Sequence, residues 1–275
     1  MSLPRPSPTS GALITGASAG IGRAIAHELG RRGHNLILAA RRKPQLQALA
    51  EELADQYSVR AEPLAVDLAR STPRGRLPGQ IERLGLEVDI LVNNAGFATG
   101  GAFHEADPDR ELQQVQLLVE AVVALTSAFS PLMVERRRGA ILNVASTAGM
   151  QPMPYSAGYA AAKAYVLSFS EAVHQEVRGR GVTVTALAPG PVETEFWDAA
   201  GWQVKGGRSF EKAVPRPARI SAEEAARAAV KGLENGERVV VPGLPVRTAM
   251  LAARYLPHAF KLPALEYLMR PGRDR

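Results

Sequence analysis

The feature that most constrains this 275-residue chain is a regular alternation of short apolar runs with longer helical patterns. The apolar runs, many rich in β-branched residues, are ALIT (12–15), NLILAA (35–40), AEPLAV (61–66), DILV (89–92), AILNVA (140–145), VTVTALA (182–188) and RVVV (238–241). Helix-like stretches between them cover 21–31, 45–57, 109–136, 156–178 and 222–234. Apolar strands that lack polar alternation and are separated by helices indicate a parallel sheet covered on both faces. The alternation therefore predicts a single-domain, doubly wound α/β fold over residues 11–243.

The two ends of the chain depart from this pattern. Residues 1–10 are rich in Pro and Ser, have no apolar signal-peptide core and are expected to form a flexible leader. Residues 244–275 alternate apolar and basic positions and are expected to form a helical extension that packs on the same domain. This extension can cap a pocket, join a subunit interface or lie on a membrane surface. No stretch reaches the roughly 18 apolar residues of a membrane span, so a cytoplasmic protein is expected.

Charge and composition narrow the possible partners and cofactors. The net charge of +6 raises the question of nucleic acid, but the basic residues fall in short runs without the interleaved aromatics that stack on bases. No nucleic-acid partner is therefore expected. The chain has no cysteine, which excludes a thiol nucleophile or a cysteine-based zinc site. The five histidines show no metal-binding spacing, so no catalytic metal is expected.

A glycine-rich turn follows the first predicted strand. Gly16, Gly20 and Gly22 lie in TGASAGIG (15–22), directly before a predicted helix. Glycines at such a turn let the backbone approach a pyrophosphate, and the free N–H groups at the helix start favour an anion. The turn predicts a dinucleotide site, to which Ser18, Ala19 and Ile21 also contribute. Packing alone can also explain a glycine-rich turn, but its place in a βαβ unit favours the dinucleotide.

The end of the second predicted strand indicates which dinucleotide is bound. Sites for NAD usually carry an acidic residue here, which binds the ribose 2′-hydroxyl group. This chain has Arg41 and Arg42 instead. A guanidinium group binds a 2′-phosphate that a carboxylate would repel, so NADP(H) is expected over NAD(H), with Arg41 as the principal contact. The alternative is a basic helix start that faces water.

Further cofactor contacts are expected after the third and fourth strands. Asp67 and Leu68 follow the third strand, where the adenine should lie. The fourth strand is followed by NNAG, in which Asn93, Ala95 and Gly96 are candidate contacts and the small pair permits close approach of the backbone. Taken singly, these residues can also be simple turn formers.

Three residues predict the chemistry. Ser146 follows the fifth strand, and Tyr159 and Lys163 lie four residues apart on one helix face. The ammonium group, aided by the positive nicotinamide ring, is expected to lower the phenol pKa from about 10, so that Tyr159 acts as general acid and base on a carbonyl or alcohol oxygen. Ser146 is expected to hold that oxygen, and Lys163 also to bind the nicotinamide ribose. An exposed Tyr/Lys pair is the alternative, but the motifs occur in a specific order.

These motifs together resemble the short-chain dehydrogenase/reductase family over roughly residues 11–243. The match includes TGASAGIG, VDL (66–68), NNAG, the Ser–Tyr–Lys set and APGPVET (188–194). The resemblance implies a Rossmann fold with a seven-stranded sheet and an NADP-dependent oxidoreductase acting on a small-molecule carbonyl or alcohol. It also implies a homodimer or homotetramer built on the helices at 109–136 and 156–178. Pro189, Gly190, Val192 and Thr194 would then lie at the nicotinamide end of the cofactor.

Two features bear on turnover and substrate. The family usually has an asparagine in the long helix before the fifth strand, where it supports a proton relay, and this chain has Leu118 there. Leucine forms no hydrogen bonds. The chain is therefore interpreted either as an active enzyme, which we favour, or as an NADP(H)-binding regulatory or scaffold protein with little turnover. Residues 195–220, which include Phe196, Trp197 and Trp202, are expected to form a lid over an apolar substrate.

Overall fold

A computed structural model of the chain describes residues 3–194, 196–199, 203–204, 208–209 and 214–271. The seven predicted apolar runs form seven parallel strands of one sheet, in the order β3-β2-β1-β4-β5-β6-β9. These strands are β1 (Ser10–Thr15), β2 (Asn35–Ala40), β3 (Ala61–Ala65), β4 (Glu87–Asn93), β5 (Gly139–Val144), β6 (Val182–Leu187) and β9 (Val239–Val240). A separate antiparallel pair consists of β7 (Gln203–Val204) and β8 (Arg208–Ser209). The predicted doubly wound α/β sheet is confirmed.

The helices lie between the strands, as the alternation predicts. They are α1 (Gly20–Gly30), α2 (Lys43–Tyr57), α3 (Ser71–Arg83), α4 (Pro108–Val115), α5 (Ala121–Glu135), α6 (Ala157–Val177), α7 (Phe196–Ala199), α8 (Ala222–Glu234), α9 (Leu244–Tyr255) and α10 (His258–Met269). A π-helical turn, Gln116–Glu120, joins α4 to α5. Helix α3 was not predicted because its sequence contains prolines and glycines, one of them Pro78 in its interior. It forms because Leu77 and Ile81, one turn apart, are both buried.

Side-chain alternation along the central strand sends apolar groups into both faces of the sheet. Ala12 and Ile14 of β1 pack in a core with α1, α2 and α8. Leu13 points to the opposite face and packs in a second core with α3, α5 and the end of α6. Because both faces are covered by helices, the strands β1, β2, β4, β5 and β6 of the main sheet are largely apolar and buried nearly throughout.

The N-terminal segment differs from the expected flexible leader. Over its described part, residues 3–9, it lies against the sheet. The Ser7 carbonyl accepts a hydrogen bond from Asn35 Nδ2 at 3.0 Å, and the Thr9 carbonyl accepts one from Glu87 N at 2.9 Å. Pro4 is buried. These contacts extend the backbone pairing one residue ahead of the predicted domain start, so that β1 begins at Ser10.

The C-terminal extension consists of the two helices α9 and α10. Val246 of α9 packs on the backbone of Gly190, where an added Cβ would lie 3.0 Å from the valine methyl groups. Met269 of α10 is buried in a small core with Tyr159 and Trp197. Both helices therefore lie beside the carboxyl ends of the strands.

One helical stretch has the length and hydropathy of a membrane span, although no unbroken apolar run in the sequence predicts one. It covers Pro108–Glu135, and 39% of its most apolar window is buried inside the fold. Leu125, Phe129 and Met133 of this stretch pack against the sheet. The apolar character of the stretch is accounted for in part by this core packing.

Candidate active site

A cleft of about 1440 Å³ opens at the carboxyl ends of the strands, where the strand order reverses between β1 and β4. Doubly wound sheets bind their ligands at this position. The cleft brings together nearly all the residues predicted to act on cofactor or substrate. Those on its wall are Gly16, Ser18, Ala19, Gly20, Ile21, Arg41, Arg42, Asp67, Leu68, Ala95, Gly96, Ser146, Tyr159, Lys163, Pro189, Gly190, Val192 and Thr194.

The glycine-rich turn needs its glycines for conformation and for space. Gly16 and Gly20 have φ of +65° and +54°, a region that side chains rarely adopt. A Cβ on Gly22 would lie 2.4 Å from both the Gly16 carbonyl oxygen and Asn94 Nδ2. The turn therefore presents bare backbone to the cleft just before α1, which is the arrangement an anionic group requires.

A hydrogen-bond cluster fixes this turn to the loop after β4. Thr15 Oγ1 donates to the Val92 carbonyl at 3.0 Å and accepts from the amides of Asn94 and Ala95 at 2.9 and 3.0 Å. Asn94 Nδ2 donates to the Thr15 carbonyl at 2.9 Å. Asn94 was not a predicted site residue, although the NNAG motif contained the signal. It holds the cleft walls on either side of the switch point together.

Basic side chains stand at the end of β2, where the 2′-position of a bound nucleotide would lie. Arg42 donates to Ser18 Oγ of the glycine-rich turn at 3.1 Å through Nη2. Arg41 lies exposed on the cleft wall. Across the cleft, Asp67 Oδ1 accepts from the Ala69 amide at 3.1 Å and so shapes the loop after β3. Two guanidinium groups and no carboxylate follow β2, which suits a phosphate.

The Ser–Tyr–Lys set lies at the other end of the cleft. All three side chains are buried. The Ser146 hydroxyl group, which accepts from the Ala148 amide at 3.0 Å, interacts with the Tyr159 phenol and lowers its pKa. Lys163 Nζ donates to the Val144 carbonyl at 2.6 Å and lies 5.7 Å from the centre of the Tyr159 ring. Helix α6 and the end of β5 therefore position a phenol, a hydroxyl and an ammonium group within one small volume.

Burial shifts the pKa values of Tyr159 and Lys163 in the directions that favour their uncharged forms. Burial raises the pKa of Tyr159 to about 12, and the hydrogen bond from Ser146 opposes this rise only in part. Burial also lowers the pKa of Lys163 to about 8. The expected lowering of the phenol pKa by Lys163 and the nicotinamide ring concerns the cofactor complex and stays a prediction, while burial raises this pKa in the protein without nucleotide. At neutral pH the phenol carries its proton, as a general acid must.

Apolar side chains cover the outer face of Tyr159. Its ring contacts Phe196 and Trp197, with ring centroids 5.7 and 5.6 Å away. Met153 and Met269 belong to the same cluster. Trp202, the third aromatic residue of the predicted lid, lies outside the described residues. The space next to the Tyr159 phenol is thus lined by apolar groups.

The family model for the short chain dehydrogenase matches residues 10–204. This chain belongs to the short-chain dehydrogenase family. Membership of this family explains why nearly all the predicted residues lie on one cleft and why the motifs occur in this order along the chain.

A relative from Pseudocercospora fijiensis that is also named a short chain dehydrogenase is 37% identical to this chain over 187 residues. The human very-long-chain 3-oxoacyl-CoA reductase is 34% identical over 189 residues. Each match covers 67% of this chain and 60% of the relative's length. A solved structure, a short-chain dehydrogenase from Sphingobium yanoikuyae in complex with NADPH, is 33% identical, with a TM-score of 0.78. That match covers 89% of this chain and 92% of the other.

Two predicted residues of this short-chain dehydrogenase do not line the cleft. Gly22 lies behind the turn, where it makes room for Gly16 and Asn94. The Asn93 side chain is buried in the fold and donates to Asn143 Oδ1 at 2.8 Å. Its expected contact with the cofactor is wrong for the side chain, because β4 turns it toward β5. Asn93 is a structural residue.

Leu118 occupies the helical position where the family usually has asparagine. It lies in the π-helical turn and is buried against Gly96, where an added Cβ would lie 2.8 Å from Leu118 Cδ2. It also shares the small core with Tyr159. The short-chain dehydrogenase thus has an apolar group where a polar one is usual, and its packing supplies a structural reason.

Among the residues the structure describes, no group of three or more His, Asp or Glu side chains is placed to hold a metal ion.

Proposed function

We propose that this short-chain dehydrogenase is an NADP(H)-dependent oxidoreductase that reduces the carbonyl group of a small apolar substrate, or oxidises the matching secondary alcohol. The observation that carries this proposal is the buried cluster of Ser146, Tyr159 and Lys163 at one end of a cleft whose other end is a glycine-rich turn. A bound NADPH supplies the hydride for the carbonyl carbon. The chain has to supply the proton for the oxygen.

Tyr159 is the proposed proton donor. Its phenol is protonated at neutral pH because burial raises the pKa to about 12. In the reduction, the phenol O–H bond breaks as the new O–H bond forms on the substrate oxygen, and Ser146 donates a hydrogen bond to the same oxygen. The positive charge of Lys163 stabilises the phenolate that remains until it is protonated again. The reverse steps apply to alcohol oxidation.

The preference for NADP(H) is proposed from the end of β2. Arg41 is exposed on the cleft wall, and Arg42 already bridges to Ser18. Planar guanidinium groups bind phosphate with charge-assisted hydrogen bonds, while no carboxylate follows β2 to bind the 2′-hydroxyl of NAD(H). The relative from Sphingobium yanoikuyae, which binds NADPH, supports this choice.

The substrate class is proposed from the lining of the cleft next to Tyr159. Met153, Trp197 and Met269 surround the phenol with apolar surface, and Val246 and Met250 of α9 extend that surface outward. The long-chain acyl substrate named in the human relative agrees with an apolar group at this place. We propose that residues 195–220 act as its lid.

Assembly and location are also proposed. The outer faces of α5 and α6 carry Leu132 and Tyr165, which are 47% and 44% exposed in the single chain. A homodimer or homotetramer on these helices would cover them. The protein is proposed to act in the cytoplasm.

A second function rests on Leu118. A chain that binds NADP(H) but exchanges protons too slowly for turnover would be a regulatory or scaffold protein. The intact Ser146, Tyr159 and Lys163 cluster favours the enzyme, since a protein that only binds the nucleotide has no need of a phenol and a serine hydroxyl side by side in the cleft.

One experiment separates these functions. Purified protein is mixed with NADPH or NADP⁺ and a panel of ketones, aldehydes and secondary alcohols, and the cofactor absorbance is followed. We expect turnover that falls by roughly 10²-fold or more in Tyr159→Phe, with NADPH binding retained. Tyr155→Phe is the matched control, since its hydroxyl group binds Glu266 instead of Ser146. Tight NADPH binding without turnover on any substrate would establish the binding protein instead.

A further inference from the structure

The outward side of α9 carries an unusual apolar stripe. Leu244, Leu251 and Tyr255 are spaced at i, i+7 and i+11, so they lie on one face of the helix. Their exposed fractions are 73%, 54% and 83%. Side chains of this size are ordinarily buried or scattered singly over a surface.

Helix α10 carries a second stripe. Phe260 and Tyr267 are spaced at i and i+7 and are 72% and 62% exposed, with the small Ala264 between them. Leu256, in the link between the helices, is also exposed. Leu244, Leu251, Tyr255, Leu256, Phe260 and Tyr267 are called the C-terminal face below.

Exposed apolar groups are concentrated in this part of the molecule. Among the described residues, thirteen large hydrophobic side chains are exposed, and seven of them belong to residues 244–271. The inner sides of the same helices are also apolar, since Val246, Met250 and Leu265 line the cleft. Each helix therefore has one apolar side that faces the cleft and a second apolar side that is exposed on the surface.

Contacts hold the two helices firmly in this arrangement. Lys261 Nζ donates to the Ala253 carbonyl at 3.3 Å and so ties α10 to the end of α9. Tyr155 Oη donates to Glu266 at 2.8 Å and ties α10 to the loop before α6. The C-terminal face is thus presented by a structured pair of helices.

The charge of this segment indicates the partner. Residues 244–271 contain four basic residues, Arg247, Arg254, Lys261 and Arg270, and one acidic residue, Glu266, which gives a net charge of +3. Glu266 is engaged by Tyr155 and Arg270. Arg247 lies within one turn of both Leu244 and Leu251. Two copies of a positive face repel one another, whereas a negative surface attracts it.

We propose that the C-terminal face docks on an anionic lipid surface. The leucine and aromatic side chains enter the boundary between headgroups and acyl chains, where tyrosine and phenylalanine are favoured. Arg247, which is exposed within one turn of Leu244 and Leu251, then faces the lipid phosphates. Because the inner sides of α9 and α10 line the cleft, docking brings the cleft against the membrane. This proposal concerns binding alone and does not depend on the proposed reaction.

Vesicle co-sedimentation of the full chain tests the proposal. Vesicles of phosphatidylcholine with phosphatidylglycerol are compared with vesicles of phosphatidylcholine alone. We expect the wild type to sediment with the anionic vesicles and to be released by high salt. The double variant Leu251→Asp/Phe260→Asp should bind at least about tenfold more weakly, because it removes one apolar anchor from each helix and adds negative charge.

A matched double variant controls for charge and for lost apolar surface elsewhere. Phe103→Asp/Leu112→Asp changes two exposed apolar side chains outside α9, α10 and the proposed α5–α6 interface in the same way and should bind vesicles like the wild type. The proposal would be overturned if both double variants lost vesicle binding to the same extent. It would also be overturned if the wild type did not sediment with anionic vesicles. A fall in the solution mass of Leu251→Asp/Phe260→Asp alone, measured by light scattering without lipid, would assign the face to a second copy instead.

Discussion

Lys163 Nζ donates a 2.6 Å hydrogen bond to the carbonyl oxygen of Val144, the last residue of β5. This bond joins the helix that carries Tyr159 to the strand that leads into Ser146. It also fixes an ammonium group in a buried position, where burial lowers the pKa of Lys163 to about 8. The chain keeps a group that is unfavourable for folding at the place where the proposed chemistry needs a positive charge.

Replacing Lys163 should stabilise the protein while removing its activity. The difference between pKa 10.5 and about 8 corresponds to about 3 kcal/mol of folding free energy at neutral pH. The lost hydrogen bond to Val144 offsets part of this, so we expect Lys163→Met to raise the free energy of unfolding by roughly 1–2 kcal/mol at pH 7. Denaturant unfolding without nucleotide measures it.

The free energy of unfolding should also depend on pH because of Lys163. Between pH 8 and 10.5 the unfolded chain binds the Lys163 proton and the folded chain does not, so wild-type stability rises with pH across this window. Lys163→Met should not show this rise. The exposed Lys231→Met change is the control and should leave the wild-type rise in place. A flat wild-type profile would contradict the assignment.

Carbonyl reduction should weaken in alkaline solution. Above pH about 8, Lys163 loses the charge that stabilises the Tyr159 phenolate, while Tyr159 itself stays protonated up to about 12. We therefore expect kcat/KM for NADPH, which reports the free enzyme, to be level below pH 8 and to fall about tenfold per pH unit above it. Steady-state rates from pH 6 to about 10 test this. A level profile through that range would show that the Lys163 charge is not required.

The two arginines after β2 should contribute unequally to cofactor choice. Arg41→Ala should raise KM for NADPH roughly 10- to 100-fold and leave KM for NADH nearly unchanged, because a charge-assisted phosphate contact is lost. Arg42 is already bound to Ser18 and serves as the comparison. We expect Arg42→Ala to have the smaller effect. An unchanged NADPH preference in Arg41→Ala would assign the phosphate contact elsewhere.

Leu118 allows a test of the proton supply behind Lys163. An asparagine there should speed proton exchange and reduce the solvent deuterium isotope effect on kcat. It should also cost about 1–3 kcal/mol of stability, because it buries a polar group in apolar surroundings. Leu118→Ala controls for lost packing and should reduce stability without changing the isotope effect. If Leu118→Asn leaves proton-transfer kinetics unchanged, the residue has only a packing role.

Gly22 should tolerate no side chain. A methyl group there would overlap the Gly16 carbonyl and the Asn94 amide. We expect Gly22→Ala to lose about 1–3 kcal/mol of stability and most NADPH affinity, measured by thermal unfolding and fluorescence titration. Gly75→Ala is the matched control. Its added methyl group would meet nothing within 4 Å in helix α3, and we expect a gain of about 0.4–1 kcal/mol. A stable Gly22→Ala protein would contradict the tight packing.

Much of the fold follows from sequence because the strong signals are local. The apolar runs mark all seven strands of the main sheet, and the α/β alternation sets their parallel direction. Helix α3 escaped prediction because Pro78 and its glycines lower local helix propensity, while burial of Leu77 and Ile81 against the sheet supplies the missing stability. Tertiary packing of this kind is not visible in a propensity pattern.

The candidate site shows the same limit. Motif spacing located the glycines, Ser146, Tyr159 and Lys163, but it did not reveal which side of β4 faces the cleft. Asn93 and Asn94 are neighbours, and alternation along the strand sends one toward β5 and the other to the glycine-rich turn. The rise of the Tyr159 pKa in the protein without nucleotide could not be predicted from sequence, because the burial that causes it depends in part on Phe196 and Trp197 from a distant segment.

The hydrogen bonds around Thr15 have a consequence for how the protein folds. Thr15 and Asn94 are 79 residues apart, so the glycine-rich turn is held in place only after β1 and β4 have paired. A chain that has formed only its first βαβ unit has the glycines but lacks the amides that anchor them. The ability to bind a nucleotide therefore arises late in folding. A nucleotide added during refolding should slow unfolding of the finished protein without speeding its formation.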